Sequence, residues 1–242
     1  MKKVLIILMF ISVNLISFSQ TLHVKGRYLY SSLNEEIVLR GINEMAIWYK
    51  NDPTLSSILP EIAKTGSNCA RLCWLTSGSP ALLDSLISNC LKSKMIPIVE
   101  LHDATGDWSK LQSLLDYWKK PEVFKIMEKH KKWVLLNIGN EIGPKTSNEE
   151  FLRYYSDAVK QLREAGYKVP LIIDASDWGK DEGNITSNWD ALMNSDPERN
   201  LLFSVHLYWK DDTAEELKNG LIIFLILWLK RTFLYFSEKG HS

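Results

Sequence analysis

The chain has 242 residues, 45% hydrophobic and 24% charged, a length and composition that suit one large α/β domain better than two small ones. Its 29 basic and 29 acidic residues cancel, leaving no basic face and excluding nucleic acid as the expected partner. Three cysteines are too few for a disulfide framework; Cys69 and Cys73 fall in a predicted strand and are expected in the core, and Cys90 lies in a predicted helix.

The first segment is a basic Met1-Lys2-Lys3, an apolar Val4 to Ile11, and small residues at Ser17-Phe18-Ser19. That pattern predicts a secretory signal peptide over residues 1–19 and a secreted or periplasmic protein starting near Gln20. The apolar run is too short for a stable membrane span. Thr21 to Leu33 alternates and turns at Asn34, which predicts a hairpin closing the floor of the domain. Ile37 to Asn43 is the first buried strand. A helix from Thr54, as N-cap, to about Lys64 ends at Gly66. Asn68 to Trp74 is the second strand. Pro80 then opens a helix over Ala81 to Lys94, with Leu82, Leu83, Leu86, Ile87 and Leu91 marking its buried face. Met95 to His102 is the third strand, and Trp108 to His130 reads as two short helices parted at Pro121. Lys132 to Glu141 holds the fourth strand. An amphipathic helix over Glu149 to Ala165 stops at Gly166 and leads to a fifth strand, Leu171 to Asp174. A brief helix at Trp189 to Met193 precedes the sixth, Leu201 to Tyr208.

Strands alternating with helices predict a parallel sheet with right-handed crossovers. A doubly wound sheet would need a Gly-rich ligand loop after its first strand, and none is present. A (β/α)8 TIM-type barrel instead places polar residues at the carboxyl ends of its strands. The sequence shows that pattern in Asn43-Glu44, Arg71, His102-Asp103, Asn140-Glu141, Asp174, and His206 with Tyr208. The spacing of two points His206 and Tyr208 to one side of their strand. No zinc-type spacing or serine elbow competes. The plainer alternatives are that Glu141 caps a helix, that Arg71 is a buried ion-pair partner, that the histidines are structural, and that Trp178 covers a core edge. Asp103 and Asp107 are expected to cap the following helix. His23, His130 and His241 carry no functional signal. Nine tryptophans suit a sugar cleft lined by flat aromatic faces, although cores use tryptophan too.

Taken as an ordered set, Arg71 in ARLCW, HDATG at 102–106, NIGNE at 137–141, DASDWG at 174–179 and HLY at 206–208 resembles glycoside hydrolase family 5, and within it the bacterial endo-β-1,4-mannanases. The resemblance implies a (β/α)8 barrel over residues 20–214 that cleaves a β-1,4-mannan or, as the alternative, a β-1,4-glucan. It makes Glu141 the acid/base and likens Asn140 to a residue that hydrogen-bonds the sugar 2-hydroxyl. Arg71 and Tyr208 match residues that orient the nucleophile, His102 and His206 match cleft histidines, and Trp178 resembles a substrate-stacking aromatic. The implied chemistry is retaining hydrolysis through two carboxyl groups about 5–5.5 Å apart, and Glu141 must hold its proton until the bond breaks. A polysaccharide partner, a monomer, and no cofactor or metal are expected.

The C-terminal part departs from the family. The nucleophile should be a Glu ending the seventh strand, but the residues after Tyr208 leave room for roughly one βα unit. Residues 215–242 form an aberrant segment with an unbroken apolar run, Leu221 to Leu229, and no acid at the position preceding Phe236, where Tyr235 stands. The nucleophile is therefore not identifiable, with Glu238 the nearest carboxylate. The expectation is six clear βα units, a doubtful seventh and a missing eighth, either as an impaired hydrolase or as a non-catalytic carbohydrate-binding remnant.

Overall fold

The structure, a computed structural model, describes residues 21–206 and the backbone of Phe233–Phe236. A small antiparallel sheet of β1 (His23–Lys25), β2 (Tyr28–Tyr30) and β3 (Glu36–Ile37) precedes the main sheet. The main strands are β4 (Gly41–Glu44), β5 (Cys69–Trp74), β6 (Ile96–Leu101), β7 (Leu135–Asn137), β8 (Leu171–Asp174) and β9 (Leu201–His206). All six are parallel and lie in chain order, forming a curled half-barrel, an incomplete (β/α)8 architecture. The backbone of β10 (Phe233–Phe236) adds a seventh parallel strand beside β9. Between the strands run α1 (Leu59–Ala63), α2 (Pro80–Lys92), α3 (Leu111–Trp118), α4 (Pro121–His130), α5 (Asn148–Glu164), the single turn α6 (Ser176–Gly179) and α7 (Glu182–Ser195).

Side chains alternate across each strand, and the two faces separate cleanly. Ala70, Leu72 and Trp74, then Val99 and Leu101, Leu136 and Ile138, Leu171 and Ile173, and Leu201, Phe203 and Val205 pack outward in the core shared with the helices. Facing the other way at the floor, Cys69, Ile96, Ile98, Leu135, Ile172 and Leu202 join Leu22 and Leu29 in a second apolar cluster. Two residues further along the same inner face the chain turns polar: Arg71, Glu100, Asn137, Asp174 and Ser204, all buried. The floor is dry and apolar, and the carboxyl ends carry charge.

Several expectations need correcting. The first strand is two pieces, because Asn68 interrupts it: its Oδ1 accepts from Arg40 N–H at 2.7 Å and its Nδ2 donates to the Val38 carbonyl at 2.7 Å. Asn34, at φ 61°, turns the chain into β3, whereas Gly26 at φ 63° lies in the β1–β2 turn, so the floor is three-stranded. Asp52, not Thr54, gathers the orphan N–H groups before α1, accepting from Ser56 and Ser57 at 2.9 and 2.8 Å. Leu82 is exposed, while Leu83, Leu86, Ile87 and Cys90 form the buried face of α2. The brief helix at Trp189 is part of a 14-residue helix, α7, that opens at Asp181 through its side chain. His130 ties α4 to α2 through Asp84 at 2.6 Å. Residues 1–19, where a signal peptide is expected, Tyr208 and most of the C-terminal segment, Glu238 included, lie outside the described residues. No described helix is long and apolar enough to cross a membrane.

Candidate active site

Five strands, β5 to β9, deliver one cluster. Glu141, four residues past the end of β7 and 4% exposed, takes φ 48°, a left-handed conformation rare for a residue with a side chain. Its backbone N–H donates to Asp174 Oδ2 at 3.1 Å, and its carbonyl accepts from Gly106 N–H at 2.9 Å. The unusual backbone is thereby fixed from two sides, which aims the carboxyl across the sheet to share a 2.7 Å hydrogen bond with His206 Nδ1. His206 Nε2 in turn lies 3.4 Å from Asp174. Helix capping is therefore not the role of Glu141.

Arg71 sits beneath, fully buried. Its Nη2 donates to Asn140 Oδ1 at 2.8 Å and lies 3.4 Å from Asp174; its Nη1 lies 3.5 Å from Glu100. Burying a guanidinium requires such carboxylate partners, so Arg71 is a buried ion-pair partner, and its partners lie in the same cluster as Glu141. Asn140 also donates from Nδ2 to Thr105 Oγ1 at 2.9 Å, and the same Nδ2 is 3.5 Å from His102 Nε2. His102 Nδ1 meets Glu100 at 2.8 Å. Burial disfavours the His102 cation, but the Glu100 hydrogen bond and charge outweigh it and raise its pKa above the ordinary value.

The glycines of the two motifs have steric reasons. A Cβ on Gly106, at φ 71°, would stand 2.7 Å from Trp178 Nε1, and one on Gly179, at φ 78°, would stand 2.7 Å from the His206 ring. Trp178 itself is 43% exposed at φ 55°, with Lys180 Nζ 5.6 Å from its ring centre, so it presents a face to solvent instead of sealing a core edge.

The structure thus brings Arg71, His102, Asn140, Glu141 and His206 into one hydrogen-bonded group, with Trp178 near its rim; Tyr208 lies outside the described residues. Sequence reasoning missed Glu100, whose signal was an acid inside an apolar strand two residues before His102. It also missed Trp48, 46% exposed and edge-on to His102 at 5.5 Å. Asp174, noted only as a strand-end polar group, anchors the cluster. Asp107 caps as expected, accepting from Ser109 N–H at 3.0 Å. Asp103 does not: it accepts from Thr76 N–H and Oγ1, both at 2.8 Å, and ties two strand-end loops together. Cys73 is buried but faces Arg71 across 4.0 Å and not the apolar core.

An incomplete (β/α)8 barrel gathers a buried carboxyl, an arginine, an amide and two imidazoles at its strand ends, the face on which barrels of this architecture build their active sites. The cellulase model, glycosyl hydrolase family 5, matches residues 31–222, and the chain belongs to that family. It is 33% identical over 212 residues to the mannan endo-1,4-beta-mannosidase of Cellvibrio japonicus, covering 82% of this chain and 48% of that protein. To the mannan endo-1,4-beta-mannosidase of Streptomyces lividans it is 32% identical over 216 residues, covering 84% and 55%. A beta-mannanase/endoglucanase A of Caldicellulosiruptor saccharolyticus is 30% identical over 217 residues, 84% of this chain and 16% of that protein. The chain spans about half the length of the two mannosidases. The mannohexaose complex of Thermomonospora fusca beta-mannanase superposes with a TM-score of 0.78 at 26% identity, covering 93% of this chain and 86% of the other. The mannanase catalytic domain from Streptomyces sp. SirexAA-E gives 0.79 at 28%, covering 96% and 76%.

Proposed function

We propose that this chain carries the acid/base side of a retaining, endo-acting mannanase cleft for β-1,4-mannosidic bonds in mannan-type polysaccharides, and that its own turnover is impaired. The observation that carries the reading is the 2.7 Å Glu141–His206 hydrogen bond, set among Arg71, Asn140 and Asp174. Glu141 is the group that protonates the departing glycosidic oxygen. Asn140, held by Arg71 and Thr105, is placed to bond the sugar 2-hydroxyl; His102 and His206 flank the sugar, and Trp178 stacks on it. In the retaining reaction a second carboxylate about 5–5.5 Å away attacks the anomeric carbon, and water later cleaves the sugar ester with Glu141 as base. Among the described residues the other buried carboxylates of the cleft, Glu100 and Asp174, are both engaged with Arg71. The seventh strand, Phe233–Phe236, contributes no acid: register aligns Tyr235 with Val205 and Phe236 with His206. This supports impaired turnover: among the described residues, neither those two carboxylates nor the seventh strand offers the nucleophile that Arg71 and Tyr208 would orient. We further propose a secreted or periplasmic monomer.

Tryptophan fluorescence with mannohexaose and cellohexaose, together with reducing-end release from mannan and carboxymethylcellulose, tests this. Expected are mannohexaose binding in preference to cellohexaose and hydrolysis at least about 10²-fold slower than full-length relatives. Hydrolysis near the relatives' rate overturns the impairment, preference for cellohexaose moves the assignment to a glucanase, and failure to bind either sugar overturns the carbohydrate reading.

A further inference from the structure

Beside Arg71, the inner face of two neighbouring strands brings three ligand-type side chains together. Cys73 and Glu100 are register partners on β5 and β6, and His102 follows Glu100 by two residues, so all three point into the cleft. Their donor atoms, Sγ, a carboxylate oxygen and an imidazole nitrogen, all lie within 4.8 Å of one another. Glu100 Oε1 is shared between His102 and Arg71, but its Oε2 is fully buried with no hydrogen-bond partner. A buried carboxylate oxygen without a donor is costly, and a cation is one thing that would satisfy it.

We propose that Cys73, Glu100 and His102 form a binding site for a thiophilic divalent ion of the Zn²⁺ class, and that occupancy of this site blocks the sugar cleft. Sulfur, nitrogen and oxygen donors together suit a borderline-soft, four-coordinate ion, and three protein ligands leave its fourth position to water. Binding displaces the Cys73 thiol proton to solvent, shifts the proton of the His102–Glu100 hydrogen bond from Nδ1 to Nε2, and replaces that hydrogen bond with two bonds to the ion. The charges then balance locally: thiolate and Glu100 carboxylate offset the ion, while Arg71 keeps Asp174 at 3.4 Å. Because His102 Nε2 lies 3.5 Å from the Asn140 amide, an ion on the other ring nitrogen draws His102 away from the amide that would seat the sugar.

The site stands on its own ligands, so the primary test needs no turnover; only its blocking role rests on the carbohydrate reading. Cobalt(II) is titrated into the folded chain in place of Zn²⁺, and the thiolate-to-metal charge-transfer absorption is followed. A single equivalent giving that band supports the site, as does its loss in Cys73→Val and its retention in Cys69→Ala. His102→Gln, which keeps the thiol, is expected to weaken binding by roughly 10- to 100-fold. Circular dichroism of both variants separates lost ligation from lost fold. A band that survives Cys73→Val, or no band with millimolar cobalt, overturns the proposal. Mannohexaose binding that is unaffected by saturating Zn²⁺ overturns its blocking role.

Discussion

Two arginines are buried at opposite ends of the same half-barrel and are held in opposite ways. At the floor, Arg163 near the end of α5 meets Asp196 through Nε and Nη2 at 2.8 and 2.9 Å, and its remaining donors reach the carbonyls of Tyr167, Val169 and Asn200 at 2.9, 2.9 and 3.2 Å. Asp196 also accepts from the N–H groups of Glu198 and Asn200. In this staple each donor meets a well-placed acceptor, locking the loops that feed β8 and β9. At the cleft, among the described residues, Arg71 has a short bond to Asn140, while its contacts to Glu100, Asn137, Asp174 and Cys73 run from 3.4 to 4.0 Å. The first arrangement is closed and serves stability. The second, among the described residues, is looser, and marginal geometry is tolerated where a site is built.

Breaking the staple gives the largest effect. Arg163→Ala strands a buried carboxylate and is expected to cost about 3–5 kcal/mol in urea unfolding, with mannohexaose affinity of the remaining folded chain unchanged. Arg71→Lys sharpens the contrast in the other direction. An ammonium cannot reproduce the planar fork, so mannohexaose affinity should fall roughly 10-fold, near 1.4 kcal/mol, while unfolding free energy changes less. Equal stability losses in both variants would erase the distinction.

The two ends also differ in pH response. Burial works against the Asp196 charge, but Arg163's hydrogen bonds and charge and the Asn200 and Glu198 N–H groups overcome it, leaving the carboxyl below its ordinary value. A depressed carboxyl contributes stability above the unfolded value, about 3.9, that is lost as pH falls through the folded value. Asp196→Asn should therefore lower stability at neutral pH and flatten the acid limb of the unfolding profile. His102 has the opposite sign. Its raised value contributes stability that is fully present below about 6.5 and is lost as pH rises through the folded value; Glu100→Gln should remove that alkaline loss and return the His102 NMR titration toward 6.5. The smallest effect is expected at Asp103→Ala, where loss of the Thr76 bonds should cost about 1 kcal/mol.

Much of this was readable in advance, because buried parallel strands announce themselves by composition and their polar ends by position. Arg71, His102, Asn140, Glu141 and His206 were found as strand-end groups, and the structure joins them. Glu100 was passed over as part of an apolar strand, and Trp48 as loop sequence, since neither gains meaning until β4, β5 and β6 stand side by side. Asp103 resembled a helix cap because it precedes a helix; its actual partner, Thr76, is distant in sequence and close only across neighbouring loops. Thr54 lost the capping role to Asp52 for a related reason: several residues nearby have the right chemistry, and backbone geometry chooses among them.

The sequence by itself determined the strands, their order and the inward change from apolar to polar residues, because alternation and burial are properties of the chain read locally. Only the tertiary structure decided that Glu141 lies against His206, that Asp174 fixes the backbone beneath it, and that Cys73 faces a carboxylate and an imidazole instead of the core. Those relations depend on register between strands and on φ at single residues, and both are settled by packing across the sheet.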